Sequence, residues 1–194
     1  MDEPWLVVGL GNPGEEYTGT RHNVGAMVVD RLTERLGARL RKVRFSSVHA
    51  AEARHEGTAL LLAKSGTFMN VSGPPIASFA KRRHIPVGRV VVCHDEIDLP
   101  FGAMRIKRGG STAGHHGLDS LVEAFRSPDF CRVRLGVGRP PGRRAGIDYV
   151  LDRFPKRQEE DAMALVEEAA DAVLALVSEG LAKTQERFNR NGVT

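Results

Sequence analysis

Cysteine is scarce in this sequence, which contains only Cys93 and Cys131 among its 194 residues. Both lie in apolar stretches typical of strands, and they form no C-x-x-C spacing. A disulfide framework or a thiolate metal site needs several cysteines at suitable spacings. The cysteine content therefore argues against both kinds of site.

Long hydrophobic runs are also missing. No apolar run approaches the roughly 18 residues that a membrane-spanning helix needs. The chain begins with the acidic stretch MDEPW, which leads directly into a short strand-like run, so we expect no signal peptide. The expected location is the cytoplasm, and no membrane partner is expected.

Positive charge is in modest excess, with a net charge of +4 and a pI near 9.4. The hydrophobic fraction of 41% and the charged fraction of 27% are ordinary for a soluble globular protein. A single basic cluster is typical of a solvated surface, but several clusters together favour a polyanionic partner. The clusters are Arg39, Arg41, Lys42 and Arg44; Lys81, Arg82 and Arg83; Arg105, Lys107 and Arg108; and Arg132, Arg134, Arg139, Arg143 and Arg144.

Apolar strand-like stretches alternate with stretches of helical periodicity. The predicted strands are WLVVGL, SVHAAEAR, TALLLAK, RVVVCHD, GAMRIKR and CRVRLGVG. The predicted helices are one with Asn23 as its N-cap and Gly37 as its stop, one from Ser72 to Arg83, LDSLVEAF, and a long C-terminal segment from about Pro155 to Arg190, broken near Gly180. This alternation predicts one α/β domain over residues 1–194, with a mixed, mostly parallel sheet and helices on both faces.

Three glycines after the first strand, Gly9, Gly11 and Gly14, have the G-x-G-x-x-G spacing of a dinucleotide-binding loop. Such a loop needs a helix that begins at the third glycine, because the helix N-terminus binds the pyrophosphate. Here the polar stretch EEYTGTRHN follows, and helical periodicity begins only near Asn23. We therefore expect a tight turn that presents Asn12, and no nucleotide cofactor.

Polar side chains follow several predicted strands, where ligands of α/β proteins collect. Asn12 follows the first strand, Met69 and Asn70 follow TALLLAK, and His94 and Asp95 follow RVVVC. The glycine-rich loop GGSTAGHHG, with His115 and His116, follows GAMRIKR. Each residue alone is typical of a cap or a turn, but their coincidence indicates a catalytic site.

Three hydrolytic sites are compatible with these residues. A metal site at His94 and Asp95 lacks any supporting ligand spacing. A serine nucleophile in GGSTA lacks the buried strand and immediate helix of a nucleophile elbow. A histidine base with an aspartate partner, acting on water, needs neither feature. Because an ester is reactive enough to be cleaved by activated water directly, we favour this third site, without a metal.

The sequence resembles the bacterial-type peptidyl-tRNA hydrolases. The matching stretches are GLGNPGEEYTGTRHNVG, KSGTFMNVSG, HDEIDLPFGAMRIKRGGSTAGHHGL, FCRVRLGVGRP and YVLDRF. They occur in the order and spacing of that family, from Leu6 to Phe154. The resemblance implies a monomeric α/β enzyme, free of metal and cofactor, that cleaves the ester between a peptide and the 3′ end of tRNA.

The same resemblance implies roles for individual residues near the reacting ester. His22 in TRHN corresponds to the base that activates water, and Asp95 in HDEIDLP to its carboxylate partner. Asn12 in GNPG and Asn70 in FMN correspond to asparagines that hold the peptide main chain near the scissile carbonyl.

Further matching residues are implied to bind other parts of the substrate. Tyr17 and Met69 correspond to residues that shape the cleft around the tRNA end and the peptide. Lys107 and Arg134 correspond to a basic pair that grips the tRNA 5′ phosphate, a contact that positions the substrate without reading its sequence.

One position departs from the family pattern, because GHHG places His116 where an asparagine is usual. A neutral imidazole offers one donor, and its reach differs from that of an amide. We expect His116 to keep the substrate-binding role with altered peptide affinity. Two other functions stay open from the sequence: a non-catalytic RNA-binding paralogue, and a general small-ester hydrolase, which would not need Lys107 and Arg134.

Overall fold

Seven strands form one sheet in the computed structural model, which describes residues 3–189. In chain order they are β1 (Trp5–Gly9), β2 (Arg41–Lys42), β3 (His49–His55), β4 (Thr58–Lys64), β5 (Val90–Glu96), β6 (Met104–Arg108) and β7 (Cys131–Gly136). Their spatial order is β2-β3-β4-β1-β5-β7-β6. The four central strands β4, β1, β5 and β7 are parallel, whereas β2, β3 and β6 pair antiparallel at the edges. The prediction of a mixed, mostly parallel sheet is confirmed.

Helices cover both faces of the sheet, as predicted. They are α1 (Val24–Arg35), α2 (Gly73–Arg82), α3 (His116–Phe125), α4 (Gly146–Val150), α5 (Lys156–Glu179) and α6 (Leu181–Phe188). Helices α1 and α5 pack together on one face, and α2 and α3 pack together on the other. Gly180, with a φ of 89°, separates α5 from α6, so the predicted break is confirmed. Arg190, the predicted end of this segment, lies outside the described residues, as do the two ends of the predicted domain 1–194.

Burial between two layers of helices explains why the central strands are apolar in sequence. All seven residues of β5 are buried, because both of its faces are covered by helices. Alternate residues face opposite layers: Val91 and Val133 pack toward α1 and α5, whereas Val90 and Val92 pack toward α2 and α3. Among the described residues, no helix combines the length and the apolar character needed to cross a membrane.

Local structure differs from the predictions in four places, the first being the two-residue edge strand β2, which was not predicted. Asn23 does not cap α1 with its side chain, since that side chain bonds to the backbone of Asn12 instead. Helix α3 begins at His116, two residues before the predicted LDSLVEAF, because the His115 side chain caps it. Helix α4 was not predicted, since its five residues are too short to show a helical period.

Two glycines let α1 lie directly against the sheet. A Cβ atom on Gly25 would stand 2.1 Å from the carbonyl oxygen of Cys93, a backbone atom of β5. A Cβ atom on Gly9 of β1 would stand 2.5 Å from the carbonyl oxygen of Gly25. Real Cβ atoms do not approach other atoms so closely, so only glycine fits at either position. This contact fixes the start of α1 beside the carboxyl end of β5.

We expect Gly25→Ala to destabilise the protein by about 1–3 kcal/mol or more, because the added methyl group overlaps the Cys93 carbonyl and pushes α1 off the sheet. Thermal unfolding should show a Tm lower by several degrees. Gly88→Ala is the matched control, since a Cβ atom there meets only the flexible Arg108 guanidinium, at 2.9 Å. An unchanged Tm for Gly25→Ala would contradict the close packing.

Candidate active site

A buried carboxylate and an imidazole meet at the carboxyl edge of the sheet. The Nδ1 atom of His22 lies 3.0 and 2.9 Å from the two carboxylate oxygens of Asp95. Asp95 belongs to β5, and His22 belongs to a single 3-10 turn, Arg21–Asn23, that leads into α1. An ionised carboxylate can only accept, so Nδ1–H donates and the Nε2 atom of His22 keeps its lone pair.

The buried Arg21 holds this turn in place. Its guanidinium donates to the carbonyl oxygens of Tyr149 and Arg153, at 3.2 and 3.3 Å, and stacks 4.0 Å from the centre of the Tyr149 ring. Arg21 therefore ties the turn that carries His22 to α4 and to the segment after it.

A second imidazole, His115, also contacts Asp95. Its Nε2 atom lies 2.8 Å from Oδ1 of Asp95. Its Nδ1 atom accepts from the backbone N–H groups of Gly117 and Leu118, at 3.2 and 3.3 Å. One ring therefore caps α3 and donates to the Asp95 carboxylate. No role was predicted for His115 in GGSTAGHHG, because the helix was predicted to begin at Leu118, three residues further along, so the capping position was not apparent.

The charges of this cluster support one another. Burial alone would raise the pKa of Asp95, but His115 and His22 outweigh burial through charge and hydrogen bonds and hold that pKa well below its usual range. Burial lowers the pKa of His115, yet the charge and hydrogen bond of Asp95 prevail and raise it overall. Two backbone N–H groups donate to Nδ1 of His115, so that nitrogen carries no proton. The helix cap therefore requires the neutral form of His115.

A third histidine, His94, is fully buried beside the cluster. Its Nδ1 atom donates to the backbone carbonyl of Asp95 at 2.8 Å, and its ring meets the ring of His115 edge-on at 5.2 Å. Burial lowers the pKa of His94 to about 3, so this ring stays neutral at physiological pH. His94 therefore supports the Asp95 backbone and adds no charge.

The predicted residue Asn12 is held in a fixed orientation. Its backbone N–H donates to Oδ1 of Asn23 at 2.8 Å, and its carbonyl accepts from Nδ2 of Asn23 at 2.9 Å. Its own Oδ1 accepts from the backbone N–H of Met69 at 2.7 Å. These bonds join the turn after β1 to the turn after β4. They leave the Nδ2 amino group of Asn12 as a donor for a ligand.

The other predicted cleft residues lie around this bridge. Met69 is buried and Asn70 is exposed, both in the 3-10 turn Met69–Val71. The half-buried Tyr17 meets the ring of the exposed Phe68 edge-on at 6.2 Å.

His116 lies at the cleft that contains the cluster. A cavity of about 130 Å³ is lined by His22, Asp95, His115 and His116, together with apolar residues such as Ile147. The side chain of His116 is 59% exposed, and its Nδ1 atom lies 4.0 Å from Asp119. The structure therefore brings His116 to the same cleft as His22 and Asp95, whereas Tyr17, Met69 and Asn70 are not among its lining residues.

The predicted basic pair lies on β6 and β7, to one side of the cluster. Arg134 donates to the carboxylate of Glu96 at 3.1 Å. Glu96 is the residue after Asp95 in the chain. Lys107 lies opposite Arg132 in the strand register. Burial and the positive charges of Arg132 and Arg134 lower the pKa of Lys107. Arg132 is itself buried and bonds to the carbonyls of Gly109 and Ser111, so it supports the glycine-rich loop.

The donor atoms of His22, Asp95 and His115 all lie within 4.8 Å of one another. Two imidazoles and a carboxylate are of the types that bind transition metals. In this structure, however, the same atoms hydrogen-bond to one another, and a metal ion would have to displace both N–H···O contacts. The arrangement is complete as a proton-transfer site.

Comparison with known proteins gives one consistent result. Residues 6–194 match the family model described as "Peptidyl-tRNA hydrolase". The peptidyl-tRNA hydrolase of Frankia alni is 49% identical over 188 residues, which cover 97% of this chain and 95% of the relative. The peptidyl-tRNA hydrolase of Nocardia farcinica is 47% identical over 186 residues, which cover 96% of each protein.

The fold comparison agrees. The crystal structure of peptidyl-tRNA hydrolase from Acinetobacter baumannii superposes with a TM-score of 0.91 at 32% sequence identity, over 98% of this chain and 96% of that one. The sequence match and the fold match each extend over nearly the whole chain. This protein belongs to the peptidyl-tRNA hydrolase family.

Proposed function

We propose that this protein hydrolyses the ester bond of peptidyl-tRNA and so releases free tRNA and peptide. The observation that carries the proposal is the buried Asp95 carboxylate, which accepts from Nδ1 of His22 and leaves Nε2 free to take a proton from water. Family membership supplies the substrate class.

The hydrolysis follows from this geometry in two steps. Nε2 of His22 takes a proton from a water molecule while the water oxygen attacks the ester carbonyl, and the negative charge of Asp95 stabilises the imidazolium that forms. The imidazolium then returns the proton to the ribose oxygen as the ester bond breaks. A positioned base of this kind contributes about 10²–10⁴-fold to the rate.

Amide side chains position the ester in this mechanism. Asn12 is fixed by three hydrogen bonds, so its Nδ2 amino group can donate to the peptide carbonyl without reorganisation. We assign the exposed Asn70 to the peptide main chain, and Tyr17 and Met69 to the walls around the tRNA end.

The basic pair is assigned to binding of the tRNA part of the substrate. Lys107 and Arg134 are presented from adjacent strands on the β6 side of the cluster, and we assign them to the tRNA 5′ phosphate. Binding through phosphates weakens steeply as salt concentration rises. A small-ester hydrolase would lack this salt dependence. A non-catalytic paralogue would have no need of the intact His22–Asp95 pair. We infer a cytoplasmic monomer of one domain, since translation occurs there and one chain supplies every group of the site.

Replacing His22 by alanine should lower kcat by about 10²–10⁴-fold, because water loses its proton acceptor. Release of N-acetyl-aminoacyl-tRNA measures kcat, and a filter-binding assay measures tRNA affinity, which should stay close to that of the parent protein. His84→Ala, at an exposed histidine between α2 and β5, is the matched control. Full activity of His22→Ala would refute the assignment.

The pH profile should show no acid limb from an ordinary carboxyl group. Because the charges and hydrogen bonds of His115 and His22 hold the pKa of Asp95 below its usual range, Asp95 stays ionised at pH values where an unperturbed aspartate takes up a proton. In a profile of kcat/KM against pH, the Asp95 charge that stabilises the imidazolium should therefore be retained as the pH falls through about 4. A limb centred near pH 4, where an ordinary carboxyl group titrates, would contradict this account.

His116→Asn should leave kcat/KM level or raise it at neutral pH, because an amide offers two N–H donors at the cleft where a neutral imidazole offers one. Stability should change by less than about 0.5 kcal/mol, since the side chain is exposed. His116→Ala serves as the comparison, because it removes the polar group. If His116→Asn loses most of its activity, the histidine has a task of its own.

A further inference from the structure

The edge strand β2 carries positive charge that the proposed function does not use. It lies at one end of the sheet, and β6 lies at the other. Four exposed cations lie on or beside this strand: Arg39, Arg41, Lys42 and Arg44. We call these four residues, together with Phe45 in the turn after β2, the basic edge.

No carboxylate neutralises the cations of the basic edge. Within residues 3–189, none of the four forms an ion pair. Exposed arginines elsewhere are paired, for example Arg31 with Glu34 and Arg108 with Asp129. An unpaired, exposed cation keeps its full attraction for a polyanion. The basic edge is therefore ready to bind phosphates.

An aromatic ring is held in solvent beside these cations. Phe45 is 88% exposed, more than any other large hydrophobic residue that the structure describes. Its φ of 57° lies in a region that bulky residues rarely adopt. The turn that imposes it is closed by hydrogen bonds from the N–H of Val43 to the carbonyl of Val48, at 2.8 Å, and from the N–H of Ser46 to the carbonyl of Val43, at 3.1 Å. The Arg44 guanidinium lies 4.6 Å from the ring centre, and the ring is otherwise open to solvent.

A shallow groove joins the basic edge to a second group of cations. Its volume is about 200 Å³, and it is lined by Arg41 and Lys42 from β2 and by Arg83, which follows α2. The Glu52 carboxylate in this groove is already paired with Arg83. The other exposed cations at this end of α2 are Lys81 and Arg82. Two of the four basic clusters of the sequence thus meet at one side of the molecule.

Cations along a groove and an exposed aromatic ring together favour one class of ligand. Proteins bind single-stranded nucleic acids by contacting successive phosphates with cations and by stacking bases on aromatic rings. A duplex keeps its base faces stacked inside, and an acidic peptide has no base to stack on Phe45. Because the family of this protein acts on an ester of tRNA, we take the ligand to be RNA.

The basic edge is remote from the groups assigned to the substrate tRNA. Four strand positions separate β2 from β5, which carries Asp95, and at about 4.8 Å per strand this is about 19 Å. Lys107 and Arg134 lie on the opposite side of β5. A tRNA with its ester at His22 and its 5′ phosphate at that pair extends toward β6, away from β2. This step rests on the proposed function.

We propose that the basic edge binds a single-stranded RNA segment that is not part of the substrate tRNA. Phe45 stacks on one base, and Arg41, Lys42 and Arg44 contact the neighbouring phosphates. The protein then has two separate RNA contacts, one at each end of its sheet.

Phe45→Ala tests the stacking contact. Fluorescence anisotropy measures the Kd of fluorescein-labelled dodecauridylate, with deacylated tRNA present at saturating concentration to occupy the β6 side. The Kd should rise about tenfold in Phe45→Ala, because one base loses its stacking partner. Met163→Ala is the matched control with parent affinity, since it removes an exposed apolar side chain from α5. An unchanged Kd for Phe45→Ala, or displacement of the oligonucleotide by tRNA, would overturn the proposal.

The salt dependence tests the phosphate contacts. In Arg41→Gln combined with Lys42→Gln, the slope of log Kd against log salt concentration should fall by about 1.4, since each phosphate contact of a single strand contributes roughly 0.7. Lys183→Gln, at an exposed lysine on α6, should keep the parent slope. Binding of polyglutamate as tightly as dodecauridylate would refute a nucleic-acid site.

Release of N-acetyl-aminoacyl-tRNA separates this proposal from the proposed function. If the parent protein binds dodecauridylate but releases no aminoacyl group, the proposed function fails and the RNA contact stands. A loss of release in Phe45→Ala would place the basic edge in substrate binding and would overturn the separate RNA contact.

Discussion

The structure depends on one buried carboxylate that must stay ionised. Asp95 lies at the end of a fully buried strand, where an isolated negative charge is strongly unfavourable. Two imidazole N–H groups, from His22 and His115, compensate for the lost solvation. Both rings come from segments distant in sequence, so the tertiary fold has to deliver them. The close approach of Gly25 to β5 and the anchoring of Arg21 serve this delivery.

Much of the fold could be predicted from the sequence, because strands covered on both faces are continuously apolar and the helices keep a clear period. The strand ends also pointed to Asn12, Asn70, His94 and Asp95 as residues of one sheet edge. Pairwise contacts could not be predicted in this way. Asn23 has the composition of a helix cap, yet a backbone distant in sequence uses its side chain.

The same limitation explains why the contacts of His115 and Arg132 could not be predicted. His115 resembled a loop residue because imidazole rarely caps helices, and its second contact, with Asp95, is tertiary. Arg132 was assigned to a basic surface cluster, but it is buried and supports the loop that leads to His115. Side-chain alternation in a strand tells which residues share a face; it does not tell whether a loop covers that face.

The double use of His115 restricts what can replace it during evolution. One nitrogen must accept from a helix end while the other donates to a carboxylate, so a substitute has to present both functions at the separation of two imidazole nitrogens. Lysine and arginine lack an acceptor, and aspartate lacks a donor when ionised. The substitutions allowed at this position are therefore limited by two requirements, the cap of the helix and the hydrogen bond to the carboxylate. A change that removes one function of His115 disturbs both the fold and the proposed reaction.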